Sequence, residues 1–393
     1  MALTRTLRAT LSDLLSVPAP ALLSADLPLP LDTPVPVARP FMPSAEAILP
    51  YLQRIDAKRW YSNFGPMLIE LEARLAARFT KPTLACTAAN GTQALTLALL
   101  ALDAKPGGLC VMPAWTFVAT AHAAIQAGLV PWFVDVDPVT GVLDADHVRE
   151  RLAHAPGPVS AVIPVAAFGQ PLDPAPWAKL HEDTGLPVVI DAAASFDSVN
   201  AAPVPTMVSL HATKSLGVGE GGFIASEDAA FIDRFRALTS FGFMGDREAR
   251  FAANNAKLSE YTCAIGLTAL DQWPSTRTAY IITAQRLRVS LLHTPAVRFQ
   301  PGWGLDWTSS TCVVELPEGA TGAVEAALKA QGVDTRRWWG LGCHCAPAFA
   351  HCPADPLPVT ERLAASTLGL PYFADMDVEQ VNRVALALAQ ALA

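Results

Sequence analysis

Apolar residues recur at helical spacing through Ala45–Ile55 and Met67–Arg78. Gly91–Leu102 is apolar on almost every side and reads as a buried helix. Short apolar runs bounded by turn residues follow at Leu109–Met112, Val130–Val136, Ala161–Val165 and Pro187–Ile190. Such runs predict strands buried on both faces. Helices are predicted between them at Thr120–Gly128, Asp144–Leu152 and Pro174–Thr184. Val208–His211 and Gly222–Ile224 predict two more strands around a Gly-rich turn. Leu258–Trp273 and Arg277–Leu292 are predicted as two successive helices. From about residue 280 the texture changes to a strand at Thr311–Leu316, a helix at Gly322–Gln331 and an apolar last helix at Asp377–Ala393, with Asp377 as N-cap. The pattern predicts an α/β fold: a large domain over 39–279 with a mixed, mostly parallel sheet between helices, and a smaller C-terminal α+β domain over 280–393.

Residues 1–38 break the pattern. A short helix at Thr4–Leu15 precedes Pro18, Pro20, Pro28, Pro30, Pro34 and Pro36, whose spacing favours extended chain, so an N-terminal arm is expected. The chain has 393 residues, too many for one typical core, with 51% hydrophobic and 16% charged residues. That composition excludes a disordered protein. A formal charge of −8 leaves no broad basic field for nucleic acid or an anionic membrane. Seven scattered cysteines argue for a reducing compartment rather than a disulfide framework. No convincing signal peptide or membrane-length apolar run is seen, so a cytoplasmic protein is expected.

The candidate chemistry begins with Lys214, which follows the apolar strand and opens a turn holding Gly217, Gly219, Gly221 and Gly222. A lysine near a core is costly unless paired or chemically used, and one such use is covalent attachment of a carbonyl. Asp191 ends the apolar run Pro187–Ile190, at the strand end where α/β folds place ligands. A carboxylate there suits the ring nitrogen of pyridoxal phosphate, and equally a helix N-cap. Asn90-Gly-Thr92 opens a helix whose first N–H groups suit a phosphate.

Together and in this order, the motifs give the chain a resemblance to the sugar aminotransferases of the DegT/DnrJ/EryC1/StrS family, of the aspartate-aminotransferase fold type. The resemblance runs through Arg39-Pro-Phe41, Tyr61-Ser-Asn-Phe-Gly-Pro66, Asn90-Gly-Thr92, Pro113-Ala-Trp-Thr-Phe-Val-Ala-Thr120 and Phe133-Val-Asp-Val-Asp137. It continues through Asp191-Ala-Ala193, Ser209-Leu-His-Ala-Thr-Lys214, Gly219-Glu-Gly-Gly222 and Lys257-Leu-Ser-Glu260. The resemblance implies pyridoxal 5'-phosphate as cofactor, held in the large domain. It implies that Lys214 carries the cofactor covalently and shuttles protons, and that Asp191 keeps its ring nitrogen protonated. Phe117 would stack on the ring. Gly91, Thr92 and Ser209 would bind the phosphate, and Asn255 would reach the phosphate of the neighbouring subunit, making a homodimer with shared active sites.

The chain departs from the family pattern at Ala194, Ile190 and Ala253. Ala194 lies three residues after the aspartate, where many relatives carry an amide or imidazole beside the cofactor. His211 is read as a structural residue of the cofactor shell and Glu220 as a brace of the Gly-rich turn. The segment Cys343-His-Cys-Ala-Pro-Ala-Phe-Ala-His-Cys352 invites a zinc site, but its spacing fits neither ribbon nor finger, and no metal is expected. His344, with Arg336 and Arg337, is expected at the substrate entrance, the arginines suiting a diphosphate or carboxylate. The activity implied is transfer of an amino group, from glutamate by resemblance, to a nucleotide-linked keto-deoxy sugar. The alternatives are a pyridoxamine-dependent sugar dehydratase, against which Lys214 argues, and a non-catalytic cofactor-binding sensor or scaffold protein.

Overall fold

The structure is a computed structural model and describes residues 34–393. Most of the expected N-terminal arm, including the Thr4–Leu15 helix, lies outside the described residues. Of its last residues, Val35 is buried and forms a parallel bridge with Val333.

Helix α1 (Ala45–Lys58) starts where Ser44 accepts the Ala47 N–H, and ends at Arg59 in the left-handed region, φ 51°. Helix α2 (Pro66–Ala76) has no local side-chain cap. Its first N–H groups, on Met67 and Leu68, are taken at 2.8 and 3.1 Å by the buried carboxylate of Glu260. Then come β1 (Leu84–Ala88), α3 (Gly91–Ala101), β2 (Leu109–Pro113), α4 (Val118–Gln126), β3 (Val130–Val134), α5 (Ala145–Leu152), β4 (Val159–Val162) and α6 (Ala175–Thr184). β5 (Ile190–Asp191), β6 (Thr206–Ser209), β7 (Gly222–Ser226) and α7 (Ala229–Thr239) follow.

The strands run in the order β1-β7-β6-β5 and β4-β2-β3. Parallel bridges Val162–Val188 and Val165–Asp191 join the two groups into one sheet. β7 is antiparallel to both neighbours, and the other pairings are parallel. Helices cover both faces, so β2, β6 and β7 are buried at every position instead of alternating. The ends of β2, β5 and β6, carrying Pro113, Asp191 and Ser209, meet at one edge of this sheet.

Where two helices were predicted, one helix, α8 (Glu260–Ser290), runs unbroken through Pro274 and past residue 280. Proline in a helix interior costs roughly 3 kcal/mol. Burial along the whole length offsets that cost, since Cys263, Leu267, Trp273, Tyr280, Ala284 and Leu287 are all buried. The first half packs on α1 and α2, and Tyr280, Ala284 and Leu287 join a second core with Trp303, Val314 and Tyr372. Around that core lie β8 (Arg298–Phe299), β9 (Cys312–Glu315), α9 (Thr321–Ala330), α10 (Pro358–Ser366), β10 (Thr367–Leu370) and α11 (Val378–Ala391). β8, β9 and β10 pair antiparallel in the order β10-β9-β8. Asp377 caps α11 in a reciprocal capping box with Gln380.

Candidate active site

Strand β5 delivers Asp191 to the sheet edge almost fully buried, at 5% exposure. Its Oδ2 accepts the Thr120 hydroxyl at 2.8 Å and its Oδ1 accepts the Ala193 N–H at 3.1 Å. Burial pushes the carboxyl pKa up, while Thr120, the Ala193 amide and the charge of Lys214 pull it back. Lys214 is half-buried in the turn after β6, where its N–H donates to the His211 carbonyl at 2.8 Å. Desolvation lowers its pKa below the ordinary lysine value, opposed by Asp191.

The turn that carries Lys214 is closed by backbone bonds from Ala212 N–H to Gly219 O (2.7 Å) and from Leu210 N–H to Gly221 O (2.9 Å). Gly219 has φ +97°, which other residues adopt only with strain. His211 Nδ1 contacts the Thr213 hydroxyl at 2.8 Å, and its Nε2 faces Glu220 at 3.5 Å.

Helix α3 begins at Gly91, and the Asn90 side chain accepts the Gln93 N–H at 2.8 Å. The N–H groups of Gly91 and Thr92 lie outside the helix's own ladder. A Cβ on Gly91 would stand 3.2 Å from Met207 Sδ and 3.3 Å from Ser209 Cβ. The bare glycine thus brings the helix start against the end of β6, beside the Ser209 hydroxyl, which itself accepts the His211 N–H at 3.2 Å. A helix N-terminus, a serine hydroxyl, a desolvated lysine and a buried carboxylate converge on one edge, and this donor set fits the phosphate, carbonyl and ring nitrogen of pyridoxal phosphate. Phe117 is the residue before α4 and is 55% exposed.

The other expected site residues have contacts of their own. Asn255 is exposed, and its Oδ1 accepts from Lys257 Nζ at 2.5 Å. Arg337 is paired with Glu325 of α9 at 3.2 Å. Arg336 is exposed, its guanidinium over the Trp338 ring at 5.0 Å. His344 is part-buried against Phe133, with its Nε2 3.2 Å from Cys345 Sγ. Burial lowers its pKa. Among the described residues no three His, Cys, Asp or Glu side chains converge as metal ligands. A cleft of about 530 Å³, lined by Trp115, Phe168, Arg298, Phe299 and Arg362, excludes both Asp191 and Lys214.

Sequence reasoning quoted Thr120 inside a motif but gave it no role. Its contact with Asp191 joins α4 to β5, and the only local signal for it was a threonine one helical turn after another, at Thr116.

Comparison with known proteins gives the family. Residues 44–389 match the model of the DegT/DnrJ/EryC1/StrS aminotransferase family. The dTDP-4-amino-4,6-dideoxy-D-glucose transaminase of Escherichia coli is 27% identical over 369 residues, covering 90% of this chain and 97% of its own. The UDP-N-acetyl-3-dehydro-alpha-D-glucosamine 3-aminotransferase of Acidithiobacillus ferrooxidans is 28% identical over 337 residues, covering 77% and 83%. The crystal structure of DesI in the presence of its TDP-sugar product superposes with a TM-score of 0.82 at 34% identity, covering 91% of this chain and 93% of that one. With a family match over nearly its whole length and a fold shared with a sugar-nucleotide enzyme, the chain belongs to the DegT/DnrJ/EryC1/StrS aminotransferase family.

Proposed function

We propose that this protein transfers an amino group from glutamate to the keto carbon of a nucleotide-linked deoxy sugar, using pyridoxal phosphate. The observation that carries the reading is the buried Asp191 carboxylate at the end of β5, next to the strand whose following turn carries Lys214 and whose end meets the N-terminus of α3. The cofactor, when bound, supplies the electron sink and the carbonyl that takes the amine.

The chain's own residues supply the rest. The Asp191 carboxylate holds the proton on the ring nitrogen, and low dielectric around it strengthens that ion pair. Desolvation lowers the pKa of Lys214, which favours an uncharged Nζ that can accept a proton and return it two atoms away, the work of a general acid–base group. Gly91, Thr92 and Ser209 bind the phosphate through N–H and hydroxyl donors. Phe117 presents its exposed ring to one face of the cofactor. Arg336 and His344 meet the sugar nucleotide, and Arg337 joins them only by leaving Glu325. Asn255, exposed on its own chain, serves the site of a second copy in a homodimer. No described helix is long and apolar enough to cross a membrane.

The test is spectroscopic and then preparative. Holoprotein should lose its visible absorption band on addition of glutamate, and a screen of nucleotide-linked keto sugars should then give an aminated product. A band indifferent to every amino donor would mean a binding protein instead of an enzyme.

A further inference from the structure

We propose that Thr120, oriented by Thr116, is a positioning residue that holds the Asp191 carboxylate ionised and aimed at the cofactor. The proposal rests on the functional reading above and adds a part that the reading does not assign.

Threonines inside helices usually return their hydroxyl to the carbonyl four residues earlier. Thr96, Thr184 and Thr268 do so here, bonding Thr92, Leu180 and Ala264. Thr120, in the first turn of α4, does not. Its hydroxyl goes to Asp191 Oδ2 at 2.8 Å, and its oxygen lies 2.8 Å from the Thr116 hydroxyl. Both threonines are buried, at 1% and 0% exposure.

The polarity of this chain of hydroxyls follows from donor counting. An ionised carboxylate can only accept, so the single Thr120 proton goes to Asp191. Thr116 must then donate to Thr120. A hydroxyl that accepts one bond while donating another is a stronger donor. The relay therefore runs from Thr116 through Thr120 to the carboxylate, and it offsets part of the cost of a buried anion. The Ala193 N–H holds the other oxygen. Lys214 is the charged group that acts on Asp191 among the described residues. Ala194, the next residue along, has no polar side chain to share the task. Thr116 and Thr120 also bracket Phe117, so one turn of backbone fixes both the ring face and the partner of the ring nitrogen.

The experiment measures the affinity of the apoprotein for pyridoxal phosphate by fluorescence between pH 6 and 9, in wild type, Thr120→Val, Thr120→Ser, Asp191→Asn and the Thr120→Val/Asp191→Asn double variant. Losing a hydrogen bond to a charged group should weaken binding by about tenfold. Thr120→Ser should recover most of the affinity. In the Asp191→Asn background, Thr120→Val should add little, because both changes act through one carboxylate. Equal affinity of Thr120→Val and wild type at every pH would overturn the relay. So would a Thr120→Ser as weak as Thr120→Val, or full additivity with Asp191→Asn, since either marks simple packing. A wild-type chain that binds no pyridoxal phosphate would overturn the functional reading, and the relay with it.

Discussion

A Cβ on Gly222 would stand 2.8 Å from the backbone nitrogen of Gly91 and 3.0 Å from its Cα. Strand β7 thus presses its first residue directly against the start of α3. Contacts this short to backbone cannot be relieved by a side-chain rotation, so the helix start must move. Gly222→Ala should shift the Gly91 and Thr92 N–H groups and weaken pyridoxal phosphate binding by tenfold or more, on the order of 1.4 kcal/mol. Titration of the apoprotein with cofactor checks this, and the melting temperature of the apoprotein tells a local shift from a general loss of fold.

Lys214 should be the covalent attachment point. Borohydride reduction of the holoprotein followed by peptide mapping should place the pyridoxyl label on Lys214. A label on any other lysine would remove the basis of the proposed function. Lys214→Ala should keep the fold and lose both the visible band and turnover.

Asp191→Asn should still bind cofactor yet turn over at least ~100-fold more slowly, because each ~1.4 kcal/mol of lost transition-state stabilisation is tenfold. Steady-state rates with saturating glutamate measure it. Near-normal rates would mean that another residue serves the ring nitrogen.

The depressed pKa of Lys214 has a thermodynamic consequence for the apoprotein. Its folded pKa lies below the unfolded value near 10.5, so in that window the unfolded chain binds more protons. Stability must therefore rise with pH toward 10.5 on account of this group. Asp191 works in the opposite sense and in acid: its pKa is raised above 3.8, so its contribution falls as pH rises through that window. Urea unfolding of apoprotein from neutral to alkaline pH should show a smaller rise for Lys214→Met than for wild type. Identical slopes would place Lys214 in water in the folded chain.

Assembly can be tested by complementation. If Asn255 serves the partner's site, inactive Lys214→Ala chains mixed with inactive Asn255→Asp chains should recover activity. One site of the mixed dimer then carries both defects and the other neither. A carboxylate beside a phosphate supplies the damage in Asn255→Asp. No recovery after subunit exchange, confirmed by mass, would place Asn255 in its own chain's site or outside both. Cofactor should also raise the melting temperature, since it binds the folded form.

The sequence by itself carried the alternation of elements and the residues at their ends. Asn90 and Asp377 cap their helices from within a few residues, and Asp191 ends an apolar run, so local reading found them, whereas Ser209 came only from the family resemblance. The break expected between residues 273 and 277 failed because a proline penalty is local, whereas the burial that outweighs it comes from two separate cores. Helix α10 escaped notice for a related reason: its first N–H groups, on Val359 and Thr360, are held by the distant carboxylate of Asp135. The same holds for Glu260 at the start of α2 and Glu325 on Arg337. Periodicity and capping are written in neighbouring residues. Which hydroxyl meets Asp191, and which glycine lets a strand touch a helix start, depend on strand order and on packing between segments far apart in the chain, and only the tertiary structure decides them.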